Sequence, residues 1–303
     1  MSMPGSAVLA FALAVGLCPG QGRAADALGG AGSYLRSGAG ARALGMGGAA
    51  AALVDDVTAT VWNPAGLTRM GVYGTQFGSM TSVLSQDRSL NYVAFAQHVE
   101  SVGDFGVAVQ HYGMDHIEGF DTTGTSTGFF SDQELALGLT YANLTSYQFR
   151  YGVTLRGLWQ GLAEARALGY GGDLGMQYQP SLSSDFCVGI NLQNPVGAIT
   201  WDTGRQDPVA PNLKLGLADK YMAGRLAVAA DLDVPLGADG TPATHLGAEI
   251  WLIEGLAARA GLDRKDFSAG GTWAYEFYQI DYAYVMSGLQ LGDTHRISLI
   301  LKF

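Results

Sequence analysis

The stretch Arg225-Leu-Ala-Val-Ala-Ala-Asp-Leu-Asp-Val234 decides the fold class. In an extended chain Leu226, Val228, Ala230, Leu232 and Val234 fall on one face and Arg225, Asp231 and Asp233 on the other, because successive strand side chains point to opposite sides. The pattern recurs in both directions from there. Phe149, Tyr151, Val153 and Leu155 oppose Arg150, Thr154 and Arg156; Phe186, Val188, Ile190 and Leu192 oppose Asn191 and Gln193; Phe267, Ala269, Trp273, Tyr275 and Phe277 oppose Ser268, Thr272 and Glu276.

Fourteen such segments lie between Gly71 and Phe303, which suits tilted membrane strands of about 9–11 residues joined by short turns. Twelve or sixteen strands also fit the count, and an even number is what a closed antiparallel barrel requires. The stretches 115–131 and 195–210 lack the alternation and are expected to be the longest loops. Gly138, Gly152, Gly175, Gly189, Gly216, Gly247, Gly261 and Gly270 sit on the polar faces, the mark of a lumen shared with inserted chain or water. Aromatic residues gather near segment ends, as with Tyr141, Tyr178, Tyr221, Phe277 and Phe303, like the girdles of membrane barrels.

Composition agrees. Only 15% of the 303 residues are charged while 48% are hydrophobic, a low charge density for a soluble protein. Ala7 to Leu17 is an apolar run of signal-peptide length, followed by small residues, so residues 1–27 are expected to be a cleaved signal peptide with the cut between Ala24 and Leu28. Beyond it no run of about 18 apolar residues exists to cross a membrane as a helix. Residues 28–70 are rich in Gly and Ala, with a short helix expected within 39–53, and residues 71–303 form the barrel. The reading is an all-β transmembrane antiparallel barrel of about 14 strands with an N-terminal plug segment, exported to the outer membrane of a didermic bacterium.

Several chemistries drop out. A net charge of -10 argues against a phosphate-backbone groove and hence against nucleic acid. His98, His111, His116, His245 and His295 show no metal-ligand spacing, no nucleophile elbow occurs, and Gly38-x-Gly40-x-x-Ala43 lacks the βαβ context of a dinucleotide site. No catalytic, cofactor-binding or metal-binding residues are expected, and no enzymatic activity.

Three local features remain. Asn63-Pro64-Ala65-Gly66 fixes a bend, either a hinge that anchors the plug or a plain turn into the first strand. Asp55 and Asp56 precede it; inside a lumen they need cations, and Arg150, Arg156, Arg225 and Arg259 are the inward candidates for a plug latch, a solvated acidic turn being the alternative. Ile297, Leu299, Leu301 and the terminal Phe303 form an ending like the strand that barrel-insertion machinery recognises.

The segment Gly38 to Leu67, with Leu44-Gly-Met-Gly-Gly48, Asp55-Asp56 and Trp62-Asn-Pro-Ala-Gly66, resembles the N-terminal signature of the PorV/PorQ family, relatives of the FadL-type outer-membrane transporters of hydrophobic compounds. Asn191 to Gly197 followed by Pro211 to Leu217 looks like that family's mid-barrel strand, loop and strand. The resemblance implies a 14-stranded barrel whose inward-folded plug gates a passage for small hydrophobic solutes. It equally implies the alternative role of such barrels, as accessories of a type IX-like protein secretion or outer-membrane assembly system with protein partners. A kinked strand exposing a lateral gap would favour the transporter. Apolar loop residues Ile117, Phe120, Phe129, Phe130, Ile199 and Trp201 suit either role.

Overall fold

The computed structural model describes residues 30–303 apart from 72–73, 85–86, 147, 182–183, 238–239 and 287–291; the expected signal peptide lies outside the described residues. The first six strands are β1 (Thr75–Val83), β2 (Arg88–Val99), β3 (Gly103–Phe120), β4 (Ser126–Ser146), β5 (Phe149–Leu162) and β6 (Ala165–Tyr178). Then come β7 (Cys187–Gln193), β8 (Ala198–Trp201), β9 (Gln206–Pro208) and β10 (Asn212–Tyr221). The last six are β11 (Leu226–Pro235), β12 (Ala243–Ile253), β13 (Leu256–Asp263), β14 (Asp266–Tyr275), β15 (Tyr278–Val285) and β16 (Thr294–Lys302). All pairings are antiparallel, and β1 closes on β16 with Gln76 opposite Lys302.

The wall has fourteen strands, because β7 with β8 and β9 with β10 are two strands, each broken once. On β6, residues Asp173 to Tyr178 pair with β7 and Ala167 to Tyr170 pair with β8. Only Gly171 and Gly172 of β6 face the four residues Asn194 to Gly197, so the ladder slips by a bulge there. Asn194 adopts a left-handed φ of 48°, and Pro195, Pro208 and Pro211 lack the N–H a continuous ladder would use. The two regions expected as loops are therefore largely strand: 198–208 is the small β8–β9 hairpin, and β3 and β4 run on to Phe120 and Ser126 past a bulge at Asp115-His116.

Outward positions such as Val93, Leu139, Leu155, Leu168 and Ile280 are exposed and apolar, the lipid-facing half of the alternation. Ile297 and Phe303 are exposed and Leu299 and Leu301 half-buried along the outer face of β16. Inward positions are polar and buried: Gln76, Thr154, Asp173, Asn191, Asp231, Glu249, Ser268, Thr272, Asp281 and Ser298. They are buried because residues 30–71 fill the lumen as short helical turns, Ser33–Ser37, Ala41–Gly45, Ala59–Trp62 and Pro64–Arg69, joined by irregular chain. From 38 to 67 every residue is buried except Arg42 and Asp55.

Candidate functional site

Irregular backbone at membrane depth must find hydrogen-bond partners within the protein, and the polar wall supplies them. Ser298 Oγ accepts from Ala41 N at 2.6 Å; Ser268 Oγ accepts from Gly47 N at 3.0 Å and donates to Gly45 O at 3.1 Å. Asp231 accepts from the Ala50 and Ala51 amides at 2.9 and 2.8 Å. Gln76 takes the Val57 amide and gives to Met70 O, and Asn191 gives to Trp62 O. Polar side chains on the lumen face thus read the plug's main chain.

Six of the eight polar-face glycines, all but Gly138 and Gly270, mark the plug's track. A Cβ on Gly261 would stand 2.2 Å from Gly47 N, one on Gly247 2.5 Å from Met46 O, and one on Gly189 2.2 Å from Ala51 O. Gly152 and Gly175 would likewise collide with the turn at Asn63-Pro64-Ala65. Backbone lies on backbone along this path, which no other residue type permits.

Asn63, fully buried, seats the turn. Its amide nitrogen is 2.7 Å from Ala51 O and 3.1 and 3.3 Å from the Met176 and Ile190 carbonyls, and its Oδ1 accepts from Ala65 N. Pro64 opens the following turn and Gly66 packs within it against Val54 and Ala59. Replacing Asn63 with alanine removes these bonds and leaves Ala51 O to Gln177 Nε2 alone, at a cost of about 1–3 kcal/mol. Amide exchange over residues 51–66 is expected to speed up while the strand amides keep their protection.

Asp55 and Asp56 do not meet the four wall arginines. Asp55 pairs with Arg42 of the plug itself at 2.5 Å and with Lys220 at 3.4 Å; Asp56 lies 3.6 Å from Arg42 and accepts from Thr58. Arg42 also grips Glu249 at 2.9 Å, Glu249 is 3.1 Å from Arg259, and Arg259 is 3.1 Å from Asp281. The result is a row of alternating charge, Lys220, Asp55, Arg42, Glu249, Arg259 and Asp281, running from β10 through the plug to β12, β13 and β15. Arg156 is taken by Asp173 at 2.6 Å, Arg225 caps the Trp251 and Leu252 carbonyls at the rim, and Arg150 reaches Gln179. Wall acids on neighbouring strands engage Arg156 and Arg259, so of the four only Arg259 joins the row, and at one remove.

Burial alone would raise the Asp55 carboxyl, but Arg42, Lys220 and Arg69 outweigh it and hold it well below the usual carboxylate range. Asp56 goes the other way: burial raises it and Asp55 adds to the rise, with Arg42 and Thr58 offsetting only part. On Arg42 burial opposes the charge, yet Asp55 and Glu249 hold its proton more firmly than usual.

The plug's first turn lies against the wall break. Tyr34 and Leu35 pack with Leu158, Ile199 and Val209, and a cavity of about 10 Å³, room for one water, is lined there by Gly32, Leu35, Arg36, Asn194, Val209 and Asn212. Arg156 reaches Thr60 O of the plug while Asp173, its partner, accepts from Asn194 N at 3.2 Å, tying plug, wall and bulge together. On the outer side, Val196 is 68% exposed beside exposed Leu168 and Tyr170.

No family model matches the chain, and no curated protein matches it. Solved structures do. The Ralstonia pickettii toluene transporter TbuX superposes with a TM-score of 0.66 at 16% identity, covering 88% of this chain and 98% of that one. The fold is theirs. The Pseudomonas putida toluene transporter TodX gives 0.63 at 16% identity over 87% and 96% of the two chains, and the monoaromatic hydrocarbon channel CymD 0.64 at 16% over 88% and 98%. These neighbours are transporters and channels rather than enzymes. Among the described residues no group of three or more His, Cys, Asp or Glu is placed to hold a metal.

Proposed function

We propose that this chain is a PorV/PorQ-type barrel of the outer membrane, exported by a cleaved signal peptide and inserted through its C-terminal strand, and that it conducts small hydrophobic solutes without chemistry. The observation that carries the reading is the bulge at Asn194 to Gly197. It interrupts the wall where the plug begins, with apolar plug residues inside and exposed apolar residues outside. A solute entering the lumen at the first plug turn would leave sideways into lipid there, because the ladder is interrupted at Gly171-Gly172 and hydrocarbon favours apolar surroundings. That similar folds belong to toluene and monoaromatic hydrocarbon transporters supports the solute class.

Movement of the first turn away from Val209 is then required for passage. Gly32, whose Cβ would stand 3.1 Å from the Val209 side chain, gives the test: Gly32→Cys with Val209→Cys, oxidised, is expected to reduce toluene uptake into proteoliposomes to the protein-free level, and reduction to restore it. Uptake that ignores the crosslink would contradict the reading.

The accessory role in secretion or assembly rests on Phe120 and Phe129, exposed at the tip of the β3–β4 hairpin. Ile199, by contrast, is 2% exposed and packs on the plug, so it presents nothing to a partner protein. Co-purification of a stoichiometric partner that is lost in Phe120→Ser with Phe129→Ser would favour this second role.

A further inference from the structure

The end of the lumen where β1 starts and β16 ends gathers positive charge that is only partly paired. Arg150 on β5 and Lys220 on β10 point inward from the wall, and Arg69 reaches in from the end of the plug. The turn that ends in Arg69 presses on Gly152 of β5, two residues from Arg150 and on the same face, and Cys187, buried at the start of β7, pairs with Ala218, two residues from Lys220. The partners of the three cations are few. Arg69 Nη1 donates to Ala52 O at 3.0 Å. Lys220 Nζ is 3.4 Å from Asp55, a carboxylate that Arg42 already holds at 2.5 Å. Arg150 Nη2 reaches Gln179 Oε1 at 3.3 Å, while its Nε and Nη1 are shielded from solvent and have no hydrogen-bond partner among the described residues.

A guanidinium with two nitrogens withdrawn from water and unpaired is costly. We infer that an oxyanion of the phosphate class binds at this mouth, between Arg150 of the wall and Arg69 of the plug, with Lys220 on its third side. Of the three cations only Lys220 reaches a carboxylate, and that one, Asp55, is already held by Arg42, so the mouth calls for an anion of more than one charge. Donors arriving from β5, β10 and the plug suit a tetrahedral group that accepts from several directions, as arginine and lysine do with phosphate. Such an anion would bridge the plug's exit end to the wall, adjoining the Arg42 row at Lys220 and independent of which solute passes. Free phosphate and a phospholipid headgroup share this chemistry.

The test is calorimetric titration of inorganic phosphate into the full protein in neutral detergent, with acetate and chloride at matched ionic strength. Phosphatidylglycerol in mixed micelles is the second arm. Phosphate is expected to bind more tightly than acetate, with affinity falling about tenfold in Arg150→Gln, falling also in Lys220→Gln, and recovering in part in Arg150→Lys. Heat-modifiable gel mobility confirms that each variant is a folded barrel, and Lys220→Gln carries the test if Arg150→Gln does not fold. Binding of phosphatidylglycerol without a response to inorganic phosphate assigns the site to a headgroup. Heats for phosphate equal to those for chloride, with phosphatidylglycerol also silent, overturn the inference. So do folded Arg150→Gln and Lys220→Gln variants that bind like the parent.

Discussion

Replacing Arg42 with methionine is expected to unseat the plug. Arg42 joins Asp55 to Glu249, and Glu249 is 1% exposed; removing the cation leaves buried acids facing one another, a loss of about 3–5 kcal/mol by the cost of breaking buried ion pairs. The readouts are ion conductance in planar bilayers, which should rise, and amide exchange over residues 40–62, which should accelerate. The pH dependence fixes the cause. In the parent the Asp55 carboxyl lies below its unfolded value, so its contribution is present above the ordinary carboxylate range and is lost only as pH falls through the depressed value. Between pH 7 and about 5, still above the ordinary carboxylate value, the contribution of the Asp55–Arg42 pair should therefore be undiminished in the parent. In Arg42→Met the acids lose the cation they share, Asp55 keeping only Lys220 and Glu249 only Arg259; their affinity for protons rises, so acidification relieves the repulsion and conductance should fall toward the parent's. A variant that is closed at pH 7, or one that opens further on acidification, would remove the ion row from the account.

Gly261→Leu is expected to expel the plug by a different route. Its Cβ would stand 2.2 Å from both Gly47 N and the Met46 carbonyl carbon, and Gly47 is itself pressed on the Leu262 backbone. Neither side has a flexible side chain to yield. Overpacking of well-fitted interiors costs about 1–3 kcal/mol and more where backbone must move, while leucine keeps the main-chain groups with which residue 261 pairs to Gly247 and Ser268. Limited trypsin digestion should then cut after Arg42 in a barrel that keeps its heat-modifiable mobility. Gly138→Ala is the control: the nearest atom to its Cβ is 3.5 Å away, and the plug should stay protected. Equal protection in Gly261→Leu and Gly138→Ala would mean that the plug does not run along β13.

The wall was legible where the period of two is clean, as at Phe149 to Arg156 and Arg225 to Val234. It faded where the strand itself departs from that period. At Asp115-His116 the bulge puts two residues out of step, and the Thr- and Gly-rich tip beyond it hides four further pairs. At Asn194-Pro195 and Pro208 to Pro211 the prolines that break the ladder are the same residues that make a sequence look like loop. Asp55 could be recognised as needing a cation because an acid in a lumen must be compensated. Its partner could not, since Arg42 sits thirteen residues earlier in irregular chain whose path no periodicity describes. One signal was present: Glu249 and Arg259 occupy polar faces of adjacent strands and face each other in register, which commits Arg259 to the wall and leaves Asp55 to seek its cation elsewhere.

The central claim is that the plug closes the lumen to ions while the bulged wall lets an apolar solute through. Proteoliposomes carrying the intact protein and a version lacking residues 30–60 test it directly, with toluene uptake and single-channel conductance measured on the same preparations. The account predicts toluene uptake with negligible conductance for the intact protein, and open conductance for the deletion. An intact barrel that admits no toluene, or a deletion that stays closed while folded, would contradict it.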